Sequence, residues 1–351
     1  MTVPSFGMRP GSFPRALACL LLATLAACGS RPPSPAPVVS DATGTMTSAP
    51  PIRIGIALGG GAAKGFAHIG VIKMLEANGF APSVVAGTSA GSVVGALYAS
   101  GMNAFELQEK AVALDEARIR DLQLSSDGLV LGQKLKDYVN EQVRRKPLEQ
   151  LAKPFVAVAT RLEDGERTVF ARGNTGQAVR ASSSVPGVFQ PVTIGKYHYV
   201  DGGIVSPVPV DAARQLGADV VVAVDISNKA RGQTPSHLLG ALNQSIAIMG
   251  QKLGQAELAR ADIIIRPQVL DMGPADFTQR ASAIVEGEKA ALAVMPQLRE
   301  RVAKLQAERA QAVRQAQQKA AEAEHKACLE NRSRLQKLAG TVGLDGSCER
   351  P

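Results

Sequence analysis

The stretch VVAGTSAGSVVG, residues 84–95, decides how the chain is read. A β-branched apolar run leads into Gly87-Thr88-Ser89-Ala90-Gly91, and a run of small residues with helical character leads out of it. Strand, G-x-S-x-G turn and helix, in that order, hold a serine on a sharp bend with its hydroxyl exposed. A serine so placed still needs a base. The chain offers four histidines for that task, His68, His198, His237 and His325.

Upstream, Gly59-Gly60-Gly61-Ala62-Ala63-Lys64-Gly65 follows the apolar run IRIGIAL (52–58) and opens a helical segment. Glycines there let backbone N–H groups converge on an anion, and a helix N-terminus adds partial positive charge. A dinucleotide fingerprint starting at Gly59 requires glycine five residues on, where Lys64 stands, so that reading fails at its last position. An oxyanion hole, the usual companion of a nucleophile turn, fits the same residues.

None of the histidines is a convincing base. His68 sits among apolar neighbours at a helix start, His325 lies in a polar tail, and His198 stands between two tyrosines. His237 keeps a residual triad open, because it follows Asp201 and Asp225 in the order serine, acid, histidine. Asp201, in Val200-Asp201-Gly202-Gly203, is the better candidate. Its two glycines allow close approach to a neighbouring backbone, although an acid before two glycines is by itself a common turn.

Around these motifs the pattern is that of an α/β domain. Apolar runs at 52–58, 83–88, 155–160, 218–227 and 261–267 alternate with helix-period segments, which predicts a largely parallel sheet. RTVFAR (167–172) and TIGKYHYV (193–200) read as extended edge pieces. From about Asp276 the pattern is helical, and beyond Arg301 it is rich in Ala, Gln, Lys and Glu with no Pro or Gly until Gly340. Its apolar stripe of Leu298, Val302 and Leu305, continued mainly by alanines, is thin. This predicts a solvated helix packed lightly on the domain, with a partner-binding coiled coil as the alternative.

GGGAAKGFAHIG (59–70), GTSAG (87–91), ASSSVPGVFQP (181–191) and VDGG (200–203), in that order, resemble the bacterial patatin-like phospholipases. The resemblance runs from about Ile52 to about Arg301. It implies a three-layer α/β/α domain with a largely parallel central sheet, here followed by a C-terminal helical tail. It also implies acyl-ester hydrolysis by a serine-aspartate dyad, with Ser89 as nucleophile and Asp201 as base. Gly60, Gly61 and Ala62 become the oxyanion donors, with Lys64, Gly87, Gly91 and Gly202 in support. The implied substrate is a lipid or another acyl ester, and neither calcium nor a redox cofactor enters. Lys64 either orients the oxyanion loop or covers the helix start as a solvated side chain. A thioesterase or soluble carboxylesterase remains an alternative, as does a non-catalytic lipid-binding lipoprotein.

The ends of the chain say where it works. Arg9 and Arg15 precede ALACLLLATLAAC (16–28), which reads as a secretory signal, too short to span a bilayer as a stable helix. Leu25-Ala26-Ala27-Cys28 resembles the bacterial lipoprotein cleavage box, with Cys28 as the lipid-bearing residue. By the same resemblance Gly29 favours the periplasmic face of the outer membrane. The Pro/Ser/Thr/Ala-rich residues up to 51 read as a tether. The expected organisation is signal 1–27, lipidated tether 28–51, catalytic domain 52–301 and helical tail 302–351.

Cleavage before Cys28 takes the formal charge from +8 to +6, of which residues 299–351 carry +4. The basicity therefore lies mainly in the tail, and with 4% aromatic content no nucleic-acid partner is expected. The protein partner of the tail, if it has one, is unspecified. The four cysteines have no metal-ligand spacing, so no metal site is expected. With Cys19 cleaved away and Cys28 lipidated, Cys328 and Cys348 are left to pair as a disulfide in an oxidising compartment.

Overall fold

The computed structural model describes residues 49–119, 121, 131–227, 238–339 and 348. The signal, nearly all of the tether and His237 lie outside the described residues. Eight strands form one sheet: β1 (Ile54–Leu58), β2 (Val84–Thr88), β3 (Phe155–Arg161), β4 (Arg167–Phe170), β5 (Val192–Ile194), β6 (Tyr197–Asp201), β7 (Val220–Val224) and β8 (Ile263–Ile265). The apolar runs give the parallel part, ordered β3-β2-β1-β7-β8. β1, β2 and β7 are buried along their whole length. Unbroken burial on both faces is what a parallel sheet between two helical layers requires.

Those layers come from α1 (Phe66–Ala77), α2 (Ala90–Ala99), α3 (Ala104–Val112), α4 (Gln133–Gln142), α5 (Thr175–Ser182), α6 (Val210–Gln215), α7 (Leu238–Leu258) and α8 (Arg280–Ala339). Because strand side chains alternate, β1 sends Ile56 and Leu58 into one core, with Ile72, Leu107 and Leu298. It sends Ala57 into the other, with Val210, Ala213 and Leu258. The small residues of this second core let α6 and the end of α7 lie close to the sheet.

The topology at β3 matters most for function. β4 runs antiparallel along Ala157–Thr160, pairing the same residues that β2 (Ala157, Val158) and β6 (Ala159, Thr160) pair. A strand has two edges, so β2 and β6 must share the other one, end to end. β2 is parallel to β3 and β6 antiparallel, so their C-terminal ends meet head-on, Thr88 opposite Val158 and Asp201 opposite Ala159.

α8 is a single helix that continues past residue 301, with Pro296 inside it. Its first part is clamped to α1 where two glycines face each other's backbone. A Cβ at Gly70 would fall 1.9 Å from the Ile284 carbonyl, and one at Gly287 2.0 Å from that of Ala67. Leu298 is buried and Val302 and Leu305 pack against the core, so the domain's packing extends four residues beyond Arg301. Arg309 pairs with Asp219, just before β7, and among the described residues most of the helix beyond is exposed. Cys328 on this solvated part is bonded to Cys348, with Cα atoms 6.1 Å apart.

Candidate active site

Ser89 follows the last residue of β2 and is the N-cap of α2, with φ 53° and ψ −124°. A positive φ is strained for a residue with a Cβ, and such strain concentrates at functional sites. The turn is possible because its flanking glycines have no side chains: a Cβ at Gly87 would lie 2.5 Å from the Gly91 carbonyl, and one at Gly91 2.1 Å from that of Leu58. Ser89 donates its own N–H to Ser182 Oγ at 2.9 Å, and Ser182 Oγ–H donates to the Val158 carbonyl at 2.6 Å. Thr88 Oγ1 donates to the Ser206 carbonyl at 2.8 Å. The bend is thus held by two hydroxyls, each sequestered from water.

Asp201 ends β6 and is 6% exposed. Its N–H donates to the Ser184 carbonyl (2.8 Å), its carbonyl accepts from Thr160 Oγ1 (2.8 Å), and its Oδ1 accepts from Gly203 N–H (2.7 Å). A Cβ on Gly202 would lie 2.1 Å from the Val158 carbonyl and 3.2 Å from the Thr88 side chain, so only glycine lets this turn close over the end of β2. Oδ2 is buried without a well-aligned hydrogen-bond partner. Burial raises the Asp201 carboxyl to about 6, against the opposing pull of the Ser89 hydroxyl and the Gly203 amide. The hydroxyl is near enough to be felt but not tightly bonded, a looseness common without substrate. The result is a carboxylate whose affinity for a proton is far above that of an exposed aspartate.

The glycine loop lies directly on the serine: a Cβ at Gly60 would be 3.2 Å from Ser89 Cβ. The loop's amides do not all play the expected part. Gly60 N–H donates to the Pro207 carbonyl at 3.0 Å, so it is committed inside the protein and is not an oxyanion donor. Gly59 N–H is likewise spent on Val224. Among the described residues, the N–H groups of Gly61 and Ala62 make no hydrogen bond. Ala62, like Ser89, has a positive φ, 53°. The available pair is therefore Gly61 and Ala62, with Gly60 as the hinge that anchors them.

Lys64 is 1% exposed, which removes the reading of a solvated side chain covering the helix start. His68 is fully buried and bonds the Gly59 carbonyl through Nε2 at 2.8 Å. Burial, outweighing that bond, lowers its pKa to about 4, so the ring is neutral and Nε2 carries the donated proton. His198 lies on the exposed side of β6, bonded to Glu163, and His325 is on the solvated part of α8. Ser182, Ser184 and Ser206 were not singled out by sequence reasoning, although the first two stand in the quoted ASSSVPG motif. Glu257, which grips Ser206, gives no sequence signal, lying 51 residues away.

Residues 56–214 match the model of the patatin-like phospholipase family. That stretch of the chain is patatin-like. Its patatin-like region is 36% identical over 182 residues to an uncharacterized NTE family protein of Mycobacterium tuberculosis, covering 51% of each chain. It is 26% identical over 279 residues to lysophospholipase NTE1 of Pyricularia oryzae, covering 70% of this chain and 19% of that one. The chain thus spans about half the length of the first of these relatives, and less of the second. Among solved structures it is similar to VipD from Legionella pneumophila, at 16% identity and a TM-score of 0.48, covering 70% of this chain and 67% of that one. The matched residues contain both Ser89 and Asp201, and they end within α6.

Proposed function

We propose that this patatin-like protein is a serine acyl hydrolase that cleaves carboxylic esters of lipids through Ser89 and Asp201. The observation that carries the reading is the head-on meeting of β2 and β6, which sets a strained serine against a buried carboxyl of raised pKa beneath two uncommitted amides. Ser89 Oγ attacks the ester carbonyl as Asp201 Oδ2 takes its proton. The developing oxyanion lies against the N–H groups of Gly61 and Ala62. Each such donor is worth about 10²–10³ in rate. Asp201 returns the proton to the departing alcohol, then activates water to release the fatty acid from the acyl-enzyme. A buried carboxyl with a pKa of about 6 is ionised at neutral pH yet basic enough to share the proton in the transition state.

We extend the reading to the chain's location: Cys28 bears the lipid, the following segment is the tether, and the domain works on the periplasmic face of the outer membrane.

The test uses the purified chain with phospholipids, lysophospholipids, nitrophenyl esters and acyl thioesters, together with labelling by an alkyl fluorophosphonate. Ser89→Ala and Asp201→Asn each abolish turnover, and the label maps to Ser89. Hydrolysis that survives Asp201→Asn, or that disappears with His237→Ala, refutes the dyad. A preference for thioesters moves the assignment to a thioesterase.

A further inference from the structure

We infer that Glu257 is a positioning residue that locks the serine turn and the oxyanion loop to one another. The inference rests on the hydrolase reading above. Glu257 is near the C-terminal end of α7, 5% exposed, and its carboxyl reaches the segment Ser206-Pro207-Val208. Oε1 accepts from Ser206 Oγ at 2.5 Å and Oε2 from Val208 N–H at 2.9 Å. The two carbonyls between these grips are the ones the site depends on. The Ser206 carbonyl accepts from Thr88, the residue before the nucleophile, and the Pro207 carbonyl accepts from Gly60, the residue before the oxyanion amides.

One carboxyl therefore fixes, through a three-residue strap, both parts whose separation sets the distance from nucleophile to oxyanion hole. α7 backs the strap along its length. A Cβ at Gly254 would sit 3.4 Å from Pro207 Cγ, and one at Gly250 3.8 Å from the Gly203 carbonyl beyond Asp201. The strap can swing only if these contacts are given up.

A buried carboxyl is an expensive anchor, and it is tolerable because both oxygens are satisfied. Burial raises Glu257 to about 7, with nearby Asp211 adding to the rise and Arg167, the Ser206 hydroxyl and the Val208 amide opposing it. Both grips survive protonation, since a neutral Oε1–H can donate to Ser206 Oγ while Oε2 still accepts from Val208. What the strap needs is hydrogen-bonding shape and not charge. Glutamine supplies the same shape, its Nε2 donating to Ser206 Oγ and its Oε1 accepting from Val208 N–H.

The test compares Glu257→Ala, Glu257→Gln and Ser206→Ala in the full chain. A misplacement of order 1 Å costs about 10² in rate. Glu257→Ala should lower kcat about 10- to 100-fold with KM within about threefold. Glu257→Gln should stay within about threefold of the parent protein and keep the acid limb of the pH profile in place, because that limb belongs to Asp201. Ser206→Ala, which loses one grip, should fall between them.

Hydrogen exchange at the Gly60 amide gives a readout free of turnover, fast in Glu257→Ala and slow in Glu257→Gln. A folded Glu257→Ala with unchanged kcat and Gly60 protection overturns the inference. So does a Glu257→Gln protein as inactive as Glu257→Ala, or one whose acid limb moves. If Glu257→Ala does not fold, Glu257→Gln and Ser206→Ala decide by the same criteria. A parent protein without Ser89-dependent turnover, whose Gly60 protection still falls in Glu257→Ala, defeats the hydrolase reading and leaves the anchoring intact.

Discussion

Replacing Asp201 by asparagine should destroy activity and at the same time stabilise the fold, because this site stores the cost of an ionised carboxyl out of water. Folding moves Asp201 from about 3.8 to about 6, mainly by burial. Stability changes with pH according to the difference in protons bound by the unfolded and native states. Between these two values the native state holds the proton and the unfolded state does not, so this group's contribution to stability falls as pH rises through that window. Above it the penalty is complete. Two pK units correspond to about 3 kcal/mol. Asparagine keeps the acceptor for Gly203 N–H and removes the charge, but leaves a buried amide N–H without a sure partner. The net gain expected at pH 7.5 is therefore about 1–3 kcal/mol, a rise in Tm of a few degrees to about 10 °C for a domain of this size.

The assay is denaturant or thermal unfolding of both proteins at pH 7.5 and at pH 4.5. Every other titrating group is common to both, so the difference between them isolates Asp201. The advantage of Asp201→Asn should shrink by more than half at pH 4.5, where the native carboxyl is mostly protonated. In the parent protein the same proton costs activity: kcat/KM should fall roughly tenfold from its plateau by pH 5, where an ordinary exposed aspartate would still be ionised. An Asp201→Asn protein no more stable than the parent at pH 7.5, or a gain that persists undiminished at pH 4.5, would refute the claim that burial tunes this base.

Other consequences follow from the same geometry. Ser182→Ala removes the acceptor of Ser89 N–H and should lower kcat at least tenfold with KM little changed; normal kcat in a folded variant would show that the bend holds without it. Lys64→Ala, which empties a buried position beside the oxyanion loop, should lower kcat more than it raises KM; a pure KM effect would tie Lys64 to substrate instead. Gly287→Ala forces a Cβ against the Ala67 carbonyl and should cost about 1–3 kcal/mol in unfolding experiments, with unaltered stability contradicting the close α1–α8 packing. Cys328→Ser should loosen the solvated end of α8, seen as faster amide exchange there, and leave esterase activity as it was; a loss of activity would mean that the tail reaches the site.

What could be read in the sequence was local or periodic. The apolar runs became the parallel strands, and the edge pieces became β4, along one edge of β3, and β5 and β6, which continue the other edge beyond the end of β2. The serine turn could be recognised because its strain demands glycines at fixed offsets, and those offsets are visible at Gly87 and Gly91. Asp201 could be singled out because Gly202 must pass close to β3 and β2. What was not legible was how backbone groups are paired across long separations. Three successive residues, Gly60, Gly61 and Ala62, look equally able to present an amide, yet Pro207, far along the chain, takes the first of them. For Lys64 the sequence left two readings open, an orienting side chain and a solvated one, and its burial at 1% exposure removes the second.

In the proposed dyad Ser89 and Asp201 stand on colliding strand ends, an arrangement that asks for no histidine between them. In a triad the imidazole spans the gap from serine to acid. Here β6 fills the edge of β3 just where β2 stops, so the carboxyl arrives where that ring would have to sit. Among the described residues, the histidine beside the loop, His68, is spent on the Gly59 carbonyl and held neutral by burial, which suits a support and not a base. The cost of the arrangement is a charge that must live without water. That cost recurs at Glu257, the second buried carboxyl of raised pKa behind the same loop. Two desolvated carboxyls on either side of one glycine loop is a pattern that packing alone would remove, since apolar or amide replacements would stabilise the fold. The serine turn, the Pro207 strap and the uncommitted amides of Gly61 and Ala62 together supply the reason to keep them.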